Sequence, residues 1–229
     1  MNVSSEFFLQ TALTVVAVVL AITLHEAAHG YAALALGDTT ARDQGRLTLN
    51  PLKHIDRFGT IILPGILLIS QLLTIHRVVF MFGWAKPVPV SAWKFPNPRR
   101  GMAFVAMAGP AMNFLLAWLG ALAIRALTDA DTGAWLGTVL LDFIVINLVL
   151  GLFNLLPIPP LDGGRVVVGL LPEHLARLWA GLERYGLMIV LGCLFVLPYV
   201  FGIDPIRDML DVVLPKAVRL VFWLAGYHE

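Results

Sequence analysis

Long apolar stretches separated by short polar ones make up most of the chain, and a membrane-spanning helix needs about 20 mostly apolar residues. Stretches 7–36, 61–84, 102–127, 136–156 and 185–201 qualify or come close. The first carries no charge until His25 and Glu26 interrupt it near its far end. It does not read as a cleavable signal, because residues 1–6 contain no Lys or Arg to form a positive leading region. Pro64, Gly65, His76 and Arg77 break the second stretch. Segment 204–227 mixes Met209, Leu210, Val213 and Val221 with Arg207, Asp208, Asp211 and Lys216. That mixture suits a helix lying on the membrane surface, with a final span kinked at Pro215 as the alternative.

Basic residues orient such a chain, since loops rich in Lys and Arg stay cytoplasmic. Arg42, Arg46, Lys53 and Arg57 mark one such loop, Lys86, Lys94, Arg99 and Arg100 a second, and Arg165, Arg177 and Arg184 a third. The turn at 128–134 holds Asp129 and Asp131 and no base, so it reads as outside, as does the N-terminus. Both flanks of 61–84 are basic, so this stretch should leave and return on one side. Val and Phe are frequent in 77–82, and 85–90 alternates Pro and Val, which predicts short strands turning at Gly83 and Trp84. Such backbone is tolerated at membrane depth only where protein or water satisfies it. The expectation is an all-α polytopic membrane protein, one domain over 1–229, with about 4–6 membrane segments and a small re-entrant β element beside a wet cavity. An ordinary spanning helix over 61–84 is the alternative.

Composition agrees. The 229 residues are 59% hydrophobic and 14% charged, about half the charge that a water-facing surface carries. A net charge of +1 offers no field for nucleic acid, so none is expected as a partner; the lipid bilayer is. The single Cys193 excludes an internal disulfide and a cysteine-rich zinc module, which leaves His and carboxylates as metal ligands.

Inside the first apolar stretch the chain reads His25-Glu26-Ala27-Ala28-His29. Histidines at i and i+4 share one helix face at the spacing two imidazoles need to bind one zinc ion, and Glu26 stands where a general base can reach metal-activated water. Ionisable groups in a spanning segment are costly and functional by default; a wet polar patch or a proton relay without metal is the blander reading. A hydrolytic zinc needs a third protein ligand and one open position. His54, His174 and His228 lie in basic loops or at the chain end and read as solvated, while His76 reads as lining the cavity. Asp142 and Asp162 are the better candidates, and depth separates them. His25 lies about 27 Å along its helix from residue 7, near the inner end, whereas Asp142 lies near the outer end of its own helix. Asp162 follows the inner end, after Pro157, Pro159 and Pro160 and before Gly163 and Gly164.

With these residues in place, the chain resembles the site-2 protease family of intramembrane zinc metalloproteases over most of its length. The motifs that carry the resemblance are His25-Glu26-Ala27-Ala28-His29, Ala108-Gly109-Pro110-Ala111-Met112-Asn113, and the run from Asn154 through Gly163. The resemblance implies a core of three transmembrane helices, one Zn2+ held by His25, His29 and Asp162, and Glu26 activating water. It also implies that Asn113 and Asn154 border the cleft as substrate-binding or oxyanion groups, and that the chain near 82–90 offers an edge to substrate. The implied activity is regulated intramembrane proteolysis of single-span transmembrane substrates, near the cytoplasmic face of the cell membrane. Some relatives carry a PDZ domain in the outside loop or a CBS domain after the last helix; neither is expected here, so the chain reads as a minimal form. A non-proteolytic metal-binding protein or transporter on the same fold is the competing reading, disfavoured because the ionisable groups cluster at one depth rather than along a path.

Overall fold

A helix that is apolar all round has no solvent face to offer, and its exposed side must meet lipid. The computed structural model describes residues 3–77, 83–127 and 134–228. Among them the α-helices are α1 (Val3–Ala35), α2 (Thr40–Asp43), α3 (Leu63–Ile75), α4 (Pro98–Leu127), α5 (Ala134–Asn154), α6 (Asp162–Leu170), α7 (Glu173–Gly181), α8 (Gly186–Leu191) and α9 (Pro205–Leu224). A π-helical turn at Arg57–Ile62 leads into α3, and another at Gly192–Phe201 continues α8. Among the described residues five helical stretches are long and apolar enough to cross a membrane: Phe8–Ala35, Arg57–Ile75, Pro98–Leu127, Leu136–Asn154 and Glu173–Phe201. Their outer positions are large and apolar; Val15, Leu73 and Tyr199 are 56, 75 and 82% exposed.

The centre is α4, packed against α1, α5 and α6. Its buried face is built from small residues, Ala106, Gly109, Ala117, Gly120 and Ala121, which let neighbouring backbones approach closely. A methyl group on Gly120 would stand 2.8 Å from Ile144 on α5. Ala117, Ala121, Ile144 and Leu148 form a core with Val221 on α9 and Ala225 just beyond it. The helix α9 runs on through Pro215 and is not one of the five candidate spans.

The expected β element is corrected. Its outgoing limb is helical, 19 residues over Arg57–Ile75, and no strand occurs among the described residues. Residues 78–82, where most of the first strand was expected, lie outside the described residues. The stretch 83–91 carries no regular structure, for a reason visible in its amides. Pro87 and Pro89 have no N–H to give, and three of the other donors are taken singly: Lys86 N–H by His54 O (2.8 Å), Val88 N–H by Glu26 Oε2 (3.1 Å) and Ser91 N–H by Asp38 Oδ2 (2.6 Å). Alternating Pro and Val thus mark a strap tied down by side chains and isolated carbonyls, not a ladder. Trp84 N–H donates to Gly59 O at 3.1 Å, so the chain comes back to the level at which it left. His54, whose backbone oxygen meets the strap, is 3% exposed and bonded to Thr48 O at 2.9 Å rather than solvated. His76 is exposed, in a left-handed conformation after α3, and is not part of the lining of the cavity that holds Glu26.

Asp38 anchors the far end of the strap. Its side chain is fully buried and accepts from Ser91 N, from Thr40 N (2.9 Å) and Thr40 Oγ1, with Lys94 Nζ 3.1 Å away. Burial alone would raise its pKa, but these donors outweigh it and hold the carboxylate at about 2. Since that lies below the unfolded value of about 3.9, the stability Asp38 contributes is complete above that value and disappears as pH falls through about 2. Replacing Asp38 by Asn should therefore cost about 2 kcal/mol at neutral pH, with the donors left under-satisfied. Thermal unfolding in detergent should show the gap between wild type and Asp38→Asn closing on acidification; a gap independent of pH would contradict this account.

Candidate metal centre

His25 and His29 stand one helical turn apart on the buried face of α1, opposite the small-residue face of α4. Each ring is fixed from behind. The Nδ1 of His29 is 2.7 Å from Val105 O. A carbonyl only accepts, so Nδ1 carries the proton and Nε2 presents its lone pair. The Nδ1 of His25 is 2.5 Å from Asn113 Oδ1, which fixes the same tautomer. Both Nε2 atoms point forward, 3.1 Å apart, with the rings edge to face.

Asp162, the first residue of α6, completes the group. Its Oδ2 lies 3.1 Å from His25 Nε2 and 3.3 Å from His29 Nε2. Despite those distances this buried oxygen has no hydrogen-bond partner. A metal requires this carboxyl group in its ionised form. The placement depends on tight backbone. A methyl group on Gly163 would collide with Leu155 O, and one on Gly164 would lie 2.7 Å from Pro159 N, so the turn after α5 closes only against glycines.

Three donor atoms with no hydrogen between them repel one another unless a cation lies among them. Ligands arranged tetrahedrally at about 2.1 Å from zinc stand about 3.4 Å apart, close to the three spacings here. Among the described residues, His25, His29 and Asp162 form the group able to hold a metal ion. The residues present fit zinc, with three protein donors and a further position toward the cavity. Gly109 makes the room: a methyl there would stand 2.5 Å from His29 Nε2 and 2.6 Å from His25 Nε2.

The group opens on a cavity of about 570 Å³, lined among others by Glu26, Val88, Val105, Asn154 and Arg165. Of the two Glu26 carboxylate oxygens, Oε2 is held by Val88 N–H on the strap. Asn154 lines this cavity and donates to Leu150 O at 3.0 Å within its own helix. Asn113 has a different place from the cleft edge that the resemblance gave it. It is 0% exposed and stands behind His25, its amide committed to that ring and to Asn147. Sequence reading passed over Asn147. The available signal was helical phase, since Asn147 and Asn154 are seven residues apart on one face of α5 in an otherwise apolar span.

Residues 123–197 match the family model described as Peptidase family M50. A relative in Bacillus subtilis (strain 168), named "Putative zinc metalloprotease YwhC", is 41% identical over 192 residues, covering 80% of each chain. "Putative zinc metalloprotease Rip2" of Mycolicibacterium smegmatis is 31% identical over 172 residues, 75% of this chain and 62% of the relative. The Rip2 protein of Mycobacterium tuberculosis (strain ATCC 25618 / H37Rv) is 30% identical over 184 residues, 80% of this chain and 66% of the relative. No solved structure matches. The chain belongs to peptidase family M50, the site-2 protease family.

The clearance at Gly109 yields a direct test. Gly109→Ala should leave a folded protein whose zinc content, measured by mass spectrometry on detergent-purified material, falls well below that of wild type. Full zinc occupancy in that variant would show that the two imidazoles do not need this space.

Proposed function

We propose that this chain is an intramembrane zinc metalloprotease that hydrolyses peptide bonds of single-span transmembrane substrates near the cytoplasmic face. The observation that carries the reading is the convergence of His25 Nε2, His29 Nε2 and Asp162 Oδ2, unprotonated and within 3.3 Å of one another, beside a cavity that also holds Glu26. These three residues are the ligands. Zinc, when bound, supplies the Lewis acidity that activates water and polarises the scissile carbonyl. Glu26 takes the proton of the attacking water on its Oε1, while Val88 N–H steadies Oε2, and then delivers that proton to the leaving amine. Asn154, on the cavity wall, is placed to bind substrate backbone.

The basic residues support the cytoplasmic placement. Gly59 and Trp84 meet, which keeps Arg46, Arg57 and Lys86 together near the inner end of α1, and the N-terminus is then outside. A helical substrate hides its carbonyls in i to i+4 bonds, so it must unwind before it can lie in the cavity. Gly- or Asn-containing spans should be cut faster than a poly-Leu span, and equal rates would refute the unwinding requirement.

The test compares wild type with Glu26→Gln on a generic single-span substrate in detergent. One zinc per chain is expected in both, with cleavage reduced about 10²–10⁴-fold in the variant. His25→Ala should lose zinc and cleavage together. A folded, zinc-supplemented wild type that binds no metal would overturn the reading.

A further inference from the structure

Behind the metal-facing side of His25 lies a line of amides that the proposed chemistry leaves unused. Asn147, on α5, is fully buried between Ile144 and Leu148, which are also 0% exposed. Its Nδ2 donates to Phe143 O at 2.9 Å and its Oδ1 accepts from Asn113 Nδ2 at 2.9 Å. Asn113 Nδ2 also lies 3.5 Å from Ala21 O on α1, and its Oδ1 faces His25 Nδ1. The line therefore runs from a backbone carbonyl of α5, through two side-chain amides, to one zinc-ligand candidate.

Its direction is forced. An amide can rotate by half a turn and exchange its donor for its acceptor, and nothing in an isolated Asn113 prevents this. A rotated Asn113 would present NH2 to His25 Nδ1, drive the ring proton onto Nε2, and point that proton into the cluster of donor atoms. Asn147, whose bond is the shorter of the two that Asn113 Nδ2 makes, is the main bar to the rotation, because two carbonyl oxygens would then face each other; Ala21 O, at 3.5 Å, opposes it in the same sense. Asn147 cannot rotate in compensation, because its own oxygen would meet Phe143 O. The carbonyl of a helix has no second state, so the polarity of the whole line is set by the α5 backbone.

We propose that Asn147 is a positioning residue for the metal centre: by orienting the Asn113 amide it selects the His25 tautomer whose Nε2 is free to bind zinc. The inference rests on the reading that His25 is a zinc ligand. Partners in this position behind a metal-binding histidine typically change metal affinity 10–100-fold when removed.

The experiment measures zinc affinity of the purified full chain in detergent, by competition with a chromophoric chelator. The variants are Asn147→Leu, Asn147→Asp, Asn113→Leu, the Asn113→Leu/Asn147→Leu double and His25→Ala. Asn147→Leu should weaken zinc binding about 10–100-fold. Asn147→Asp should stay within about threefold of wild type, because a buried, protonated carboxyl group offers the same acceptor to Asn113 and the same donor to Phe143 O. In the Asn113→Leu background, adding Asn147→Leu should change affinity less than about twofold, since the residue through which it acts is already gone. Asn147→Ala supplies the same comparison should the Leu variant misfold. Unchanged affinity in Asn147→Leu, or an equal loss in both backgrounds, overturns the inference while leaving the metal reading intact. A wild type without zinc, or His25→Ala with undiminished affinity, overturns both.

Discussion

Three lone pairs aimed at one point in a protein interior are the least comfortable arrangement this chain contains, and most of its architecture can be traced to holding them there. Neutral imidazoles and a carboxylate would each seek hydrogen atoms if free to turn. They are prevented from turning by Val105 O behind His29, by Asn113 behind His25, and by a glycine-lined turn behind Asp162. The first two supports come from α4 and the third from the turn into α6, so α1, α4 and α6 must be in register for the site to exist. The small-residue face of α4 is what brings them within reach, since Gly109 leaves nothing between its own backbone and the two rings.

The parts of this arrangement legible in the sequence are those with a spacing or a depth. His25 and His29 are four apart, which places them on one helix face, and Asp162 follows the inner end of the helix that carries it. Reading helices from apolar length located three of the five candidate spans within a few residues; Arg57–Ile75 ends well before residue 84, in a stretch expected to be re-entrant, and Glu173–Phe201 begins earlier than its apolar run suggests. Amphipathic α7 and a tight turn precede the purely apolar part there.

What misled was pattern without partners. Pro and Val alternate at 85–90 with the period of a strand, but a strand is defined by what its amides bond to, and these are claimed by His54, Glu26 and Asp38 from elsewhere in the chain. His54 looked solvated because its neighbours are basic; its own partners, Thr48 O and the strap's Lys86 N–H, appear only in three dimensions. Asn147 escaped notice because its helical phase with Asn154 does not say which group it bonds to. Its meaning lies in Asn113, on another helix, and only a three-dimensional arrangement brings the two together.

The cavity beside the metal centre has a consequence for supply. Its volume, about 570 Å³, holds on the order of twenty water molecules, beside helices whose outer faces are apolar. Under the proposed intramembrane hydrolysis, water in it is a limited reagent rather than a bulk solvent. Each substrate residue that enters displaces several of these molecules, so the incoming chain and the second reactant compete for the same room. The best occupant is one that fills the cavity incompletely, leaving a single wet corner beside Glu26.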